Sequence, residues 1–200
     1  MAIGSFLVSQ KYSIPFCYLQ SEGGKNHLYF YTWKDNMPLL KETIHVSSII
    51  NLDEYIKIHV GEYKRKEKHK YYEQLVIDCI KDKVDEIISN IYLEDALEVD
   101  LIFRLGNQVG IAEIKTGKKA TKKEGIDQLS TAGGREYLGT YTKKFLIVDR
   151  EYQENNRDLA AARDITVIEL KNSPGDKGNA RIDGRDKEIL VQTIVTEMTR

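Results

Sequence analysis

Asp100, Glu113 and Lys115 are the residues of this chain whose types and spacing could do chemistry together. Asp100 lies in an apolar run at 99–104, and Glu113 and Lys115 lie in a second run at 109–115. Gly106-Asn107 separates the runs, and both residues tolerate the positive φ of a tight hairpin turn. Leu105 then pairs with Gln108, which sets Asp100 opposite Glu113 and Glu98 opposite Lys115. Side chains alternate along a strand, so Glu98, Asp100, Glu113 and Lys115 are expected on one face. Val99, Leu101, Phe103, Ala112 and Ile114 are expected to form an apolar surface on the other.

Facing carboxylates repel, by up to about 1 kcal/mol on a strand surface, and more where a core lowers the dielectric. A divalent cation reverses the sign. Two carboxylates, a backbone carbonyl and waters suit Mg2+ or Mn2+, which prefer oxygen donors. Lys115 adds positive charge for an attacking water or a developing phosphorane. The chemistry this constellation suits is phosphodiester hydrolysis. Two blander readings stay open. Glu98 and Lys115 could form an ordinary cross-strand ion pair, and a one-residue slip in register would send the carboxylates to opposite faces.

The elements that must position these residues follow from periodicity. Short strands are expected at 5–9, 16–20 and 28–33, with Gly23-Gly24 connecting the last two. A short helix at 51–60 ends at Gly61. Residues 62–70 carry Lys64, Arg65, Lys66, Lys68 and Lys70 and read as a solvated junction. Leu75, Cys79, Ile80, Val84, Ile87 and Ile88 repeat at helical spacing, which predicts one amphipathic helix over 71–89. After the hairpin come a helix at 121–132 closed by Gly133-Gly134, and a buried strand at 145–149. A helix at 156–163, a strand at 165–170, a Gly-rich loop at 172–184 and a terminal helix at 186–199 complete the chain. The expected fold is α/β, a mixed sheet flanked by helices over 66–200, with a small β-rich element and a short helix at 1–65.

The 200 residues are 41% hydrophobic and 30% charged, enough for an ordinary buried core. A net charge of −1 means that an anionic ligand must be held by a local patch. Lys118, Lys119, Lys122 and Lys123 form such a stretch beside the motif strand, suited to phosphate-backbone contact. Cys17 and Cys79 offer neither metal-ligand spacing nor a disulfide framework, which suits a reducing cytoplasm. No run approaches the roughly 18 apolar residues of a membrane helix, so no membrane association is expected. No phosphate-binding G-x-x-x-x-G-K-[ST] loop occurs, so ATP hydrolysis is unsupported.

Glu98-Val99-Asp100 followed by Ala112-Glu113-Ile114-Lys115-Thr116-Gly117, set between two helices, resembles the PD-(D/E)XK nuclease superfamily over about residues 70–170. With Tyr72-Glu73 opening the preceding helix, the region is similar to the nuclease half of CRISPR type III ancillary nucleases. The other half of those proteins is a CARF domain that senses cyclic oligoadenylate.

The resemblance implies a restriction-endonuclease-like fold and cleavage of DNA, RNA or both in antiviral defence. It implies Mg2+ or Mn2+ held by Asp100, Glu113, the Ile114 carbonyl and Glu73, with Lys115 positioning water. It also implies a place near the site for Gln128, as in exonucleases of the RecB type. Residues 1–60 are too short and too β-rich for the sensor, so cyclic oligoadenylate is a partner only if a sensor exists elsewhere. Cutting two strands needs two sites, which makes a homodimer plausible. The competing readings are a restriction-like, repair or junction-resolving nuclease, and a non-catalytic nucleic-acid-binding module on the same scaffold.

Overall fold

Aromatic and β-branched residues dominate the first strands, and their cross-strand pairing builds a small antiparallel sheet. A computed structural model describes residues 3–22, 25–46, 50–66, 70–93, 97–175 and 180–200. The chain divides into two compact units, Met1–Ile49 and Ile50–Arg200. In the first, β1 (Phe16–Glu22), β2 (Lys25–Lys34) and β3 (Met37–Val46) pair in that order. Asp35 and Asn36 both take positive φ, as a two-residue hairpin turn demands. The expected turn at Gly23-Gly24 lies outside the described residues.

Residues 5–9, expected as a strand, lie within helix α1 (Ile3–Tyr12). A short apolar run does not distinguish strand from helix by itself. Tertiary contact decides it. Phe6 packs edge-on against Phe16 and Trp33, and Trp33 Nε1 donates to Ser9 Oγ at 2.9 Å.

The second unit begins with α2 (Leu52–Val60), capped by Asn51 and ended by Gly61. Asn51 Oδ1 accepts the Glu54 N–H at 2.8 Å and Glu54 Oε2 accepts the Asn51 N–H at 3.0 Å. Removing the cap with Asn51→Ala should cost about 1 kcal/mol of stability, read as a lower urea midpoint with unchanged slope. Leu52 and Ile56 are fully buried in the core of this unit. The division therefore falls between Ile49 and Ile50, and not near residue 65, because α2 packs into the same core as the later strands and helices.

A six-stranded mixed sheet forms the centre, in the order β4 (Lys64–Arg65), β5 (Glu86–Leu93), β6 (Leu97–Leu105), β7 (Gln108–Lys115), β8 (Lys143–Val148), β9 (Ile165–Glu169). The first four strands pair antiparallel, and β7, β8 and β9 pair parallel. Lys64 and Arg65, expected in a solvated junction, form the edge strand. The helix expected over 71–89 is shorter. It is α3 (Tyr71–Ile80), and the rest of that span turns and enters β5. Ile87 and Ile88 fit a helical period by coincidence; their pairing to Phe103 and Ile102 makes them strand residues.

Helices cover both faces of the sheet. Tyr72, Val76 and Ile80 of α3 share one core with Leu190, Ile194 and Met198 of α6 (Gly184–Thr199). Leu52 and Ile56 share the other with Ile126, Leu129 and Ala132 of α4 (Glu124–Ala132) and Ala160 of α5 (Glu154–Ala161). This is a three-layer α/β architecture. Among the described residues no helix is long and apolar enough to cross a membrane.

Candidate active site

The β6–β7 hairpin pairs Leu105 with Gln108 and continues to Leu101 opposite Ala112, the register that the Gly106-Asn107 turn dictates. Gly106 alone uses the left-handed region, at φ +60°. Beyond Leu101 and Ala112 the backbone ladder stops. Asp100 Oδ2 accepts the Ile114 N–H at 2.7 Å in its place. The carboxylate thus stands in the fork between the two strands.

Alternation along the hairpin is also interrupted here. Leu101, Phe103, Ala112 and Ile114 lie in the core beneath α3 and α6, as expected. Val99 instead joins Ile102 and Ile111 in the opposite core. Asn90 on β5, with φ +51°, stands beside this point. Pairing runs from Ser89–Leu101 to Ile91–Val99 and skips the Asn90–Asp100 step.

Asp100 and Glu113 are each only 2% exposed and close enough to share a hydrogen bond. Burial, followed by the Asp100 charge, pushes Glu113 up to about 8 against the opposing Lys115 ammonium. Burial likewise raises Asp100 against the Ile114 N–H, and the charge of Glu73 adds to the rise. Lys115 Nζ donates to Glu113 Oε1 at 2.5 Å. Its side chain is 11% exposed. α4 passes close above it: a Cβ on Gly125 would meet Leu146 Cδ1 at 2.6 Å and the Lys115 stem at 3.5 Å. Glycine at this position lets the helix hold the lysine in place.

Glu73 is buried at the start of α3, with both oxygens engaged. Oε2 accepts the Lys70 N–H at 3.1 Å, and Oε1 accepts from Lys70 Nζ at 2.5 Å. The same ammonium is 3.9 Å from Asp100 Oδ1. Among the described residues no three His, Cys, Asp or Glu side chains form a group able to hold a metal ion. The donor set that does meet is Asp100 with Glu113. Two buried carboxylates that cannot both ionise cheaply fit a hard divalent cation. Glu73 would have to release Lys70 to join them.

The other expected site residues are placed differently. Glu98 does not form the cross-strand pair with Lys115. It stands opposite Tyr92, half-buried, where its charge acts on Lys66 and Lys70. The parting of β6 from β7 removes the register that would have joined it to Lys115. Gln128 lies on α4 and lines a cleft of about 580 Å3 with Lys122, Lys123, Glu124, Asp127 and Asn156. Its Oε1 is buried and has no hydrogen-bond partner. Lys118 and Lys119 are exposed on a 3-10 turn at Gly117–Thr121, directly after the motif strand.

Two residues with polar roles here carry little signal in the sequence. Lys70 reads as one more cation of the junction, distinguished only by its spacing of three from Glu73. Asp149 directly follows β8, and its Oδ2 accepts the N–H groups of Gly117 at 3.0 Å and Gly175 at 2.9 Å.

No protein-family model matches the chain, and no curated protein matches it. Solved structures similar over part of it include the following two. Protein VC1899 from Vibrio cholerae is 16% identical with a TM-score of 0.46, over 63% of this chain and 33% of that one. Can2 from Sulfobacillus thermosulfidooxidans, solved in complex with cyclic tetra-adenylate, is 14% identical with a TM-score of 0.44, over 64% of this chain and 33% of that one. The matched region is thus about a third of either protein's length.

Proposed function

We propose that the chain is a metal-dependent nuclease that hydrolyses phosphodiester bonds in DNA, RNA or both. The observation that carries the reading is the buried meeting of Asp100 and Glu113 with the Lys115 ammonium against them. Asp100, Glu113 and the Ile114 carbonyl are the proposed ligands of Mg2+ or Mn2+, with Glu73 completing the set. The ion, when bound, would neutralise charge on the phosphodiester and favour attack by water. Lys115 orients that water and stabilises the charge that develops. Exposed Lys118, Lys119, Lys122 and Lys123 hold the backbone without reading sequence. The role in CRISPR type III-linked defence rests on the resemblance of residues 98–100 and 112–117 to ancillary nucleases.

Labelled DNA and RNA incubated with the protein should be cut in Mn2+ and left whole with chelator. Calorimetry should register Mn2+ uptake in the same buffer. Neither heat nor cleavage would overturn the reading. Uptake with nucleic-acid binding but no cleavage would favour the binding module. Profiling single strands, duplexes and junctions separates a defence nuclease from a repair or junction-resolving one.

A further inference from the structure

Two lysines reach the carboxylates, and they are held very differently. The Lys115 side chain is 11% exposed and confined beneath α4. The Lys70 side chain is 71% exposed, yet its ammonium lies 2.5 Å from Glu73 Oε1 and 3.9 Å from Asp100 Oδ1. It approaches from the residue before α3, and the Glu98 charge also acts on it. A long, solvated side chain gives up rotamer freedom to sit there. What draws it in is a set of buried carboxylates with too little positive charge among them.

We infer that Lys70 is a displaceable internal counter-ion. Building on the metal site proposed above, it neutralises Glu73 and Asp100 until a divalent cation arrives, and the cation then releases it. A dication and an ammonium cannot share the same two carboxylates without mutual repulsion, and the ammonium is the one with solvent to move into. Once freed, it stands at the mouth of the site, where an anionic phosphate of the bound strand is the natural partner. Lys70 is therefore a positioning residue for the metal-free site and a phosphate contact in the loaded one.

The test compares wild type, Lys70→Met and Lys70→Arg by Mn2+ calorimetry at pH 8 without nucleic acid. A second arm measures anisotropy of a labelled single-stranded DNA oligonucleotide in Ca2+ over a range of salt. Lys70→Met should bind Mn2+ roughly threefold to tenfold more tightly, since a partly exposed ion pair no longer competes. Lys70→Arg should return to the wild-type value. The salt slope of oligonucleotide binding should fall by about 1 in Lys70→Met. Equal or weaker Mn2+ binding by Lys70→Met overturns the displacement while leaving the metal site standing. An unchanged salt slope overturns the phosphate contact. No Mn2+ uptake by any of the three overturns the metal site itself, and this inference with it. A urea melt verifies that each variant is folded before its binding is compared.

Discussion

Glu113→Gln should abolish Mn2+ uptake and cut cleavage at least about a hundredfold, yet make the metal-free protein more stable at pH 8. The two effects share one cause. Glu113 is held at about 8 by burial and by the Asp100 charge. The unfolded chain releases the corresponding proton near pH 4.3. Between those values the folded protein binds a proton that the unfolded chain has lost, so stability falls as pH rises.

A glutamine imitates the protonated acid. Its oxygen still accepts from Lys115 and its amide can donate to Asp100, at every pH. The variant and wild type should therefore match near pH 4 and diverge through pH 8, read by urea melts across that range. Saturating Mn2+ should close the gap from the wild-type side only, because binding to the folded state adds stability. A variant less stable than wild type at pH 8, or an advantage independent of pH, would sink this account.

Asp149→Ala should cost about 3 kcal/mol of stability and lower turnover while leaving Mn2+ affinity nearly unchanged. Asp149 is 2% exposed and accepts two backbone N–H groups, from Gly117 after the motif strand and from Gly175. Removing the carboxylate leaves both donors without it, at about 1–3 kcal/mol for each one left unsatisfied. Its own N–H also donates to the Lys115 carbonyl at 3.4 Å, so the loop it secures is continuous with the lysine. Tyr72 ties the second of these loops, the one that holds Gly175, to α3, its hydroxyl donating to the Ser173 carbonyl at 2.8 Å. Loosening this clamp displaces Lys115 relative to Asp100 and Glu113, and small displacements of a reacting group cost rate. Asp149→Asn should recover part of the stability, since its one carbonyl oxygen can still accept. Turnover and urea midpoint both within error of wild type would refute the clamp.

Several features arise from local sequence alone. The Gly106-Asn107 turn set the hairpin register as far as Leu101 opposite Ala112, one residue short of Asp100 and Glu113. Asn51 and Gly61 marked the ends of α2, and the continuous apolar run in β8 marked a central strand. These are short-range constraints, in which turn geometry, capping and burial of one strand act within a few residues. What lay beyond them depended on partners distant in the chain. The residues of β5 satisfy a helical period as well as a strand period, and only the facing β6 selects the strand. Phe6 turns its segment into a helix because Phe16 and Trp33 stand against it. Val99 changes face next to Asn90, on another strand, where the β5–β6 pairing skips one step. The same holds at the site. The two acids were legible because a hairpin is local. Lys70 reaches Asp100 across about 30 residues of chain, and Asp149 secures the loop after Lys115 from about 34 residues on, contacts that arise only when α3 and β8 pack onto the hairpin.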